Sequence, residues 1–268
     1  MARTCPVVAA VVVASGVVAG QPSSARALDH FEIEVYDGTA NSPGAPGLEL
    51  HLNSWLTGHR TSIAPLLPLH GQSHATLEPS FGLTPWWELG AYLQMALRDD
   101  GIVDWSGVKA RSKFVVPPDW DSHWRLGANL ELSYIPPAYE EERWSVEVRP
   151  IVSWHDPRWL VAANPIFGLA LDGSSGPSIE PALKVARTIG PIAVGLEYYG
   201  DLGTVDHIEP IQGQEHYLFE ALDVFDVGAF ELNAAVGEGL TLASAGIVIK
   251  VIVGYEWESL WVVRANAR

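Results

Sequence analysis

TLEPSFGLTPWWELGAYLQMALR, residues Thr76 to Arg98, alternates apolar and polar side chains almost without a break. Leu77, Pro79, Phe81 and Leu83 fall on one side, and Thr76, Glu78, Ser80 and Gly82 on the other. After Thr84-Pro85-Trp86 the pattern resumes, with Trp87, Leu89, Ala91, Leu93, Met95 and Leu97 set against Glu88, Gly90, Tyr92, Gln94, Ala96 and Arg98. Side chains of a strand change face at every residue, so the segment predicts a hairpin with one apolar face and one mixed polar face.

The same period of two recurs on both sides. It predicts strands over Leu48–Trp55, Trp105–Val116, Trp124–Tyr134, Trp144–Trp154, Trp159–Leu171, Ser178–Arg187, Ile192–Tyr199, Glu215–Val224, Ala229–Val236 and Ile247–Trp257. His30–Tyr36 also alternates, and is set apart as an extra segment inside or beneath the main structure. Turn-forming stretches such as GTANSPGAPG and DGSSGP separate these runs. Pro79, Pro150, Pro165 and Pro181 fall within them, and because each removes a ladder donor they are expected to mark bulges.

The chain has 268 residues, 48% of them hydrophobic, a mean hydropathy of +0.12 and a formal net charge of −16. That charge disfavours a nucleic-acid partner, whose phosphates it repels. No apolar run beyond the N-terminus reaches the roughly 18 residues of a membrane-spanning helix. Residues 1–27 carry Arg3, an apolar core over Pro6–Gly20 and the A-x-A site Ala25-Arg26-Ala27, the pattern of a secretory signal peptide. The single cysteine, Cys5, would leave with it, so residues 28–268 would form one domain with neither disulfides nor thiol chemistry.

Alternation alone suits a secreted sandwich as well as a membrane barrel, and three further features favour the barrel. Nine of the eleven tryptophans, Trp55, Trp86, Trp87, Trp105, Trp124, Trp144, Trp154, Trp159 and Trp257, lie at strand ends, where a membrane barrel carries its aromatic girdles. The strands have about the 9–11 residues that a tilted span requires. Tight turns such as Thr84-Pro85, His155–Arg158, Gly190-Pro191 and Phe225–Gly228 alternate with longer loops, matching short periplasmic turns and long outer loops. The expectation is an all-β, antiparallel up-and-down transmembrane β-barrel of about 12 strands, within about 10 to 14, located in the outer membrane. Outer-membrane lipid would surround it, and barrel-assembly machinery and periplasmic chaperones would serve its biogenesis.

With the apolar face toward lipid, the polar face lines the lumen. It presents Lys109, Arg111, Lys113, Arg125, Arg149, Lys184 and Lys250, together with Glu78, Glu88, Glu131, Glu147, Glu180, Glu197, Glu220 and Glu231. Two arrangements are open. In one, Lys109, Arg111 and Lys113 form an electropositive wall in a narrow pore for small solutes. In the other, the two signs pair across strands and fill a non-conducting barrel that serves the envelope or binds ligands through its loops. Barrels of about 8 strands are filled by side chains and those of 16–18 hold water, so the size does not choose between them.

No cofactor, metal or catalytic residue is assigned. His70 and His74 have i, i+4 spacing, but Pro65, Pro68 and Gly71 argue against the helix that would align them, and loop positions are expected for the histidines. DGSSGPS lacks the strand–turn–helix elbow of a serine hydrolase, and outward Ser112 has no outward histidine on a predicted neighbour.

The segments TLEPSFGLTPWWELGAYLQ, GLEYYGDLG, EHYLFEALD and ELNAAVGEGLT resemble a group of proteobacterial outer-membrane β-barrels of uncharacterised cargo. These are similar to barrels described as outer-membrane transporters near genes for aromatic (phenol) degradation. The resemblance covers most of residues 28–257 and implies the barrel architecture and a transport role. The tail Glu258–Arg268 departs from the usual barrel end at a terminal aromatic residue.

Overall fold

A strand with one greasy and one charged face can satisfy both its backbone groups and its side chains in a membrane only by joining a closed sheet. The computed structural model shows that closure. It describes residues 29–261 except 122, 174, 175 and 245, so the segment 1–27, expected from the sequence to be a signal peptide, and tail residues 262–268 lie outside the described residues. Twelve strands form the barrel: β1 (Pro46–Trp55), β2 (Ser73–Thr84), β3 (Trp87–Leu97), β4 (Val103–Val115), β5 (Trp124–Tyr134), β6 (Trp144–His155), β7 (Trp159–Ala170), β8 (Glu180–Ile189), β9 (Ile192–Asp201), β12 (Glu215–Val227), β13 (Phe230–Gly239) and β14 (Ile247–Glu256). Two-residue strands β10 (Gly203–Thr204) and β11 (His207–Ile208) make a small hairpin within one loop. Each barrel strand pairs antiparallel with its sequence neighbours, and β1 pairs with β14 from Gly47↔Glu256 to Trp55↔Val248, which leaves no open edge.

The two faces separate as the alternation requires. On β3, Leu93 is 53% exposed, whereas Glu88, Tyr92 and Gln94 on the opposite face are buried within the barrel. Leu50, Leu52, Leu130, Leu132, Val185, Leu196 and Val236 continue the outer apolar band. Connections 85–86, 116–123, 156–158, 190–191 and 228–229 close one end, and the generally longer 56–72, 98–102, 135–143, 171–179, 202–214 and 240–246 close the other. Aromatic rings gather at both ends. Trp86, Trp87 and Phe114 stack at the short-turn end, where Phe230, Tyr255 and Trp257 also meet, and Trp105, Tyr134 and Trp144 meet at the long-loop end.

Two expectations are corrected. Trp55 is no girdle residue but is fully buried inside the barrel, because β1 turns Leu48, Leu50 and Leu52 outward and so turns His51, Asn53 and Trp55 inward. The four strand prolines do not mark bulges. Pairings of Leu77 with Leu93 and Ser80 with Gly90 flank Pro79, and those of Val148 with Phe167 and Val152 with Ala163 flank Pro150 and Pro165, without a change of register. A missing N–H interrupts a ladder locally; it does not insert a residue. The bulges lie elsewhere, at Gly82/Thr84, at Val224/Val227, and opposite Gln94/Met95, where Ser106 is the extra residue. That last bulge lets both Trp105 and Val108 face outward, and it uses Gly107 at φ +143°, a backbone region open to glycine.

Candidate functional site

The segment set apart in the sequence, His30–Tyr36, is not a strand but part of a longer irregular stretch, residues 29–45. It is a strap running through the barrel lumen from the long-loop end, where His30 meets Asn53 and His74, to the short-turn end, where it enters β1. Phe31, Ile33, Val35 and Tyr36 are buried, and so is Glu32 between them. Alternation in a membrane strand separates lipid from lumen, but inside the barrel both sides of the chain meet wall.

Because no strand edge is free to pair with it, the strap takes its hydrogen bonds from wall side chains. Asn164 on β7 makes two: its Oδ1 accepts from the Tyr36 N–H at 2.7 Å, and its Nδ2 donates to the Tyr36 carbonyl at 3.0 Å. The strap carbonyls of His30, Phe31, Ile33 and Glu34 accept from Asn53 Nδ2 (3.1 Å), Thr76 Oγ1 (2.9 Å), Lys250 Nζ (2.9 Å) and Arg149 Nη1 (3.3 Å), and that of Asp37 accepts from Ser153 Oγ. At the exit, Gly82 on β2 exchanges backbone hydrogen bonds with the strap, at 2.7 Å from Gly44 N–H and 3.0 Å to the Ala45 carbonyl. A Cβ at Gly82 would lie 2.3 Å from the Ser42 carbonyl oxygen, so the chains can approach this closely only at glycine.

The inward charges form two networks. In the first, Lys109 contacts Asp29, Glu32 (3.4 Å) and Glu131 (3.1 Å); Arg149 contacts Glu147 (2.8 Å) and Glu32 (3.5 Å). It continues by way of Tyr36, whose hydroxyl donates to Glu32 at 2.7 Å and whose ring faces Arg111, to Arg111, which lies 2.7 Å from both Glu78 and Glu88, and Lys113, 3.1 Å from Glu88. In the second, Glu197 sits between Lys250 (2.5 Å) and Lys184 (3.1 Å), and Lys184 also contacts Asp223 at 2.7 Å. Lys109, Arg111 and Lys113 therefore each face a carboxylate and present no free positive wall. Glu180 turns to Ser178, and Arg125 sits half-buried near the short-turn end with its guanidinium on the carbonyls of Asp121 and Trp124. Glu220 is a further correction. It is exposed on the outer face of β12 between Leu196 and Val236, because Tyr217, Phe219, Ala221 and Asp223 take that strand's inner face.

Apolar packing closes the long-loop end. Phe31, Ala96, Ile135 and Tyr139 pack together under Leu67 of the 56–72 loop, whose N–H donates to the Ala138 carbonyl. Trp55 lies edge-on to His30 at 4.7 Å, and Phe31 lies 4.5 Å from His74. His30, His51 and His74 are thus buried, against the expectation of loop positions for the histidines. Burial, and then the hydrogen bond to Asp104 at 2.9 Å, raise the pKa of the Tyr139 hydroxyl and keep it a neutral donor. At the short-turn end a cavity of about 300 Å³ remains, bounded by Glu34, Asp37, Glu49, Lys113, Glu231 and Glu256 among others.

Barrel, girdles, outward apolar band and charged interior define an outer-membrane-type β-barrel. Solved structures with the same fold include an outer membrane channel from Pseudomonas putida F1, at 13% identity and a TM-score of 0.56, covering 84% of this chain and all of that one. The KdgM porin (11%, 0.52) and the NanC porin (9%, 0.51) each match 78% of this chain over 98% of theirs. At these identities the likeness shows the fold. No family model matches the chain, and no curated protein matches it by sequence.

The strap residues Asp29, Glu32 and Glu34, and His51 and Asn53 of the wall, were not foreseen as site residues. Their signal was present in the charged half of the His30–Tyr36 alternation and in the inward parity of β1.

Proposed function

We propose that the protein is an outer-membrane barrel that passes small solutes by a narrow path, and that the strap sets its width. The observation that carries this reading is that the lumen is filled by a separate piece of chain, bound through side chains, and not by the wall itself. A barrel of 12 strands lies between the size that side chains fill and the size that holds water, and here the strap takes up part of the cross-section. The barrels it resembles in structure include a channel and two porins, and the sequence resemblance to transporters near aromatic-degradation genes makes small aromatic compounds a solute class to try first. Outer-membrane lipid would contact the outer band, and the assembly machinery and periplasmic chaperones would deliver the chain.

A second reading, a non-conducting barrel serving the envelope, draws on the packed layer of Phe31, Ile135, Tyr139 and Leu67 across the long-loop end. An enzyme finds no such support: outward Ser112 accepts from Trp87 Nε1 at 2.9 Å and is paired with Leu89 and Leu130. Planar-bilayer recording separates the first two. Protein lacking residues 29–41 should give discrete conductance steps larger than those of the intact chain. A folded deletion variant that conducts no better than the intact protein would leave the envelope reading.

A further inference from the structure

We propose that the strap and the wall together form a binding site for a first-row divalent cation of the Zn²⁺ class. Glu34 of the strap, Glu49 and His51 of β1 and Glu78 of β2 each offer one donor atom, and the four lie within 4.8 Å of one another. His51 Nε2 is 3.1 Å from Glu78 Oε2 and 3.6 Å from Glu49 Oε2. Donors around a tetrahedral zinc stand about 3.4 Å apart, given bond lengths near 2.1 Å, so small side-chain movements would close the set.

A further observation points to a missing partner. Glu34 Oε2 is buried and accepts no hydrogen bond, although an unsatisfied buried polar atom is costly. His51 is fully buried with its Nε2 turned to Glu78 and Glu49, so its imidazole lies with three carboxylates, two of which, Glu34 and Glu49, border the short-turn cavity. Arg111 lies against the other oxygen of Glu78 at 2.7 Å and is shared with Glu88. It leaves Glu78 Oε2 turned to the cluster and orients it, as an outer partner orients a metal ligand. The short-turn cavity reaches Glu34 and Glu49 and gives the ion a route in. One imidazole and three carboxylates suit a zinc-like ion; calcium takes six to eight oxygens, which this set does not offer.

The site is independent of whether the barrel conducts, and its test uses no conductance. Mature protein without a histidine tag, folded in detergent, is equilibrated with Zn²⁺, desalted and assayed for metal content. One equivalent is expected, with hydrogen exchange of residues 29–41 slowed on loading and no displacement by a tenfold excess of Ca²⁺. Glu34→Gln and His51→Gln should each weaken binding by about tenfold or more. Glu34→Gln leaves the wall untouched, so it carries the test if the His51 variant does not fold. Zinc bound equally by the intact protein and Glu34→Gln, no zinc bound, or displacement by Ca²⁺ would each overturn the assignment.

Discussion

Replacing Asn164 by leucine tests whether strap and wall are separately stabilised. The substitution keeps most of the side-chain volume and removes both hydrogen bonds to Tyr36. With the strap in place, the Tyr36 N–H and carbonyl would then be buried without partners, at about 1–3 kcal/mol each. The docked strap would thus lose about 2–6 kcal/mol, up to the limit at which it leaves the lumen and water satisfies both groups. The backbone ladder of β7 does not involve the Asn164 side chain, so the barrel wall should keep its stability. Hydrogen exchange followed by mass spectrometry reads the two parts apart. Peptides covering residues 29–41 should exchange at least about thirtyfold faster, the factor corresponding to about 2 kcal/mol, while wall peptides remain protected. Unchanged strap exchange in a folded barrel would show that Asn164 does not hold the strap, and simultaneous loss of wall protection would show that the two are one cooperative unit.

Glu220→Leu should stabilise the barrel in lipid by about 1–2 kcal/mol, read as a higher denaturant midpoint, because a lipid-facing acid near mid-strand costs less than a base but more than leucine. A lower midpoint would mean that Glu220 has a partner on the outer face. Arg149→Met should cost about 3–5 kcal/mol in strap docking, because Glu32 and Glu147 lose a buried cation; unchanged protease resistance of residues 29–41 would refute this. Gly82→Ala should destabilise the strap exit by about 1–3 kcal/mol, since its Cβ meets the carbonyl oxygens of Ser42 and Asn41, backbone atoms that cannot swing aside. Unaltered exchange at Gly44 and Ala45 would refute the clash.

Strand number and inward parity were legible because both follow from a period of two that any half-buried strand must show. The alternation of β3 alone places Glu88, Tyr92 and Gln94 inside. Which face of a less polar strand turns inward was harder to see. On β12 the inner face carries Tyr217, Phe219 and Ala221, as greasy as the outer, so Glu220 looked inward when it is not. Bulges leave no such signature: the extra residue Ser106 reverses the parity between Trp105 and Val108, and only the partner strand reveals it. The strap posed a third difficulty. Its period of two is real, but period reports that two faces differ, not that both are enclosed. The pairing of Lys109 with Asp29 and of Arg149 with Glu32 depended on knowing where that segment lies.

The division between wall and strap has a consequence for how the lumen responds to change. The wall is held by a ladder that closes on itself, so no single side chain is required for it. The strap is held by the burial of Phe31, Ile33, Val35 and Tyr36, a few side-chain hydrogen bonds and the ion pairs of Asp29 and Glu32. Such bonds exchange readily for water once the chain is displaced, and each contributes about 0.5–1.5 kcal/mol net, more where a charge is involved. Losing two or three of them would therefore loosen the strap while leaving a folded barrel, and with the strap displaced the interior would present Lys109, Arg149 and Lys250 without their strap partners. An open state would for that reason differ from the closed one in the charge it shows to a solute as well as in width: withdrawing Asp29, Glu32, Glu34 and Asp37 removes four acidic groups from the interior. Anion preference should accordingly rise on strap deletion, and a deletion variant that conducts yet favours cations more than the intact chain would contradict this account of the interior charge.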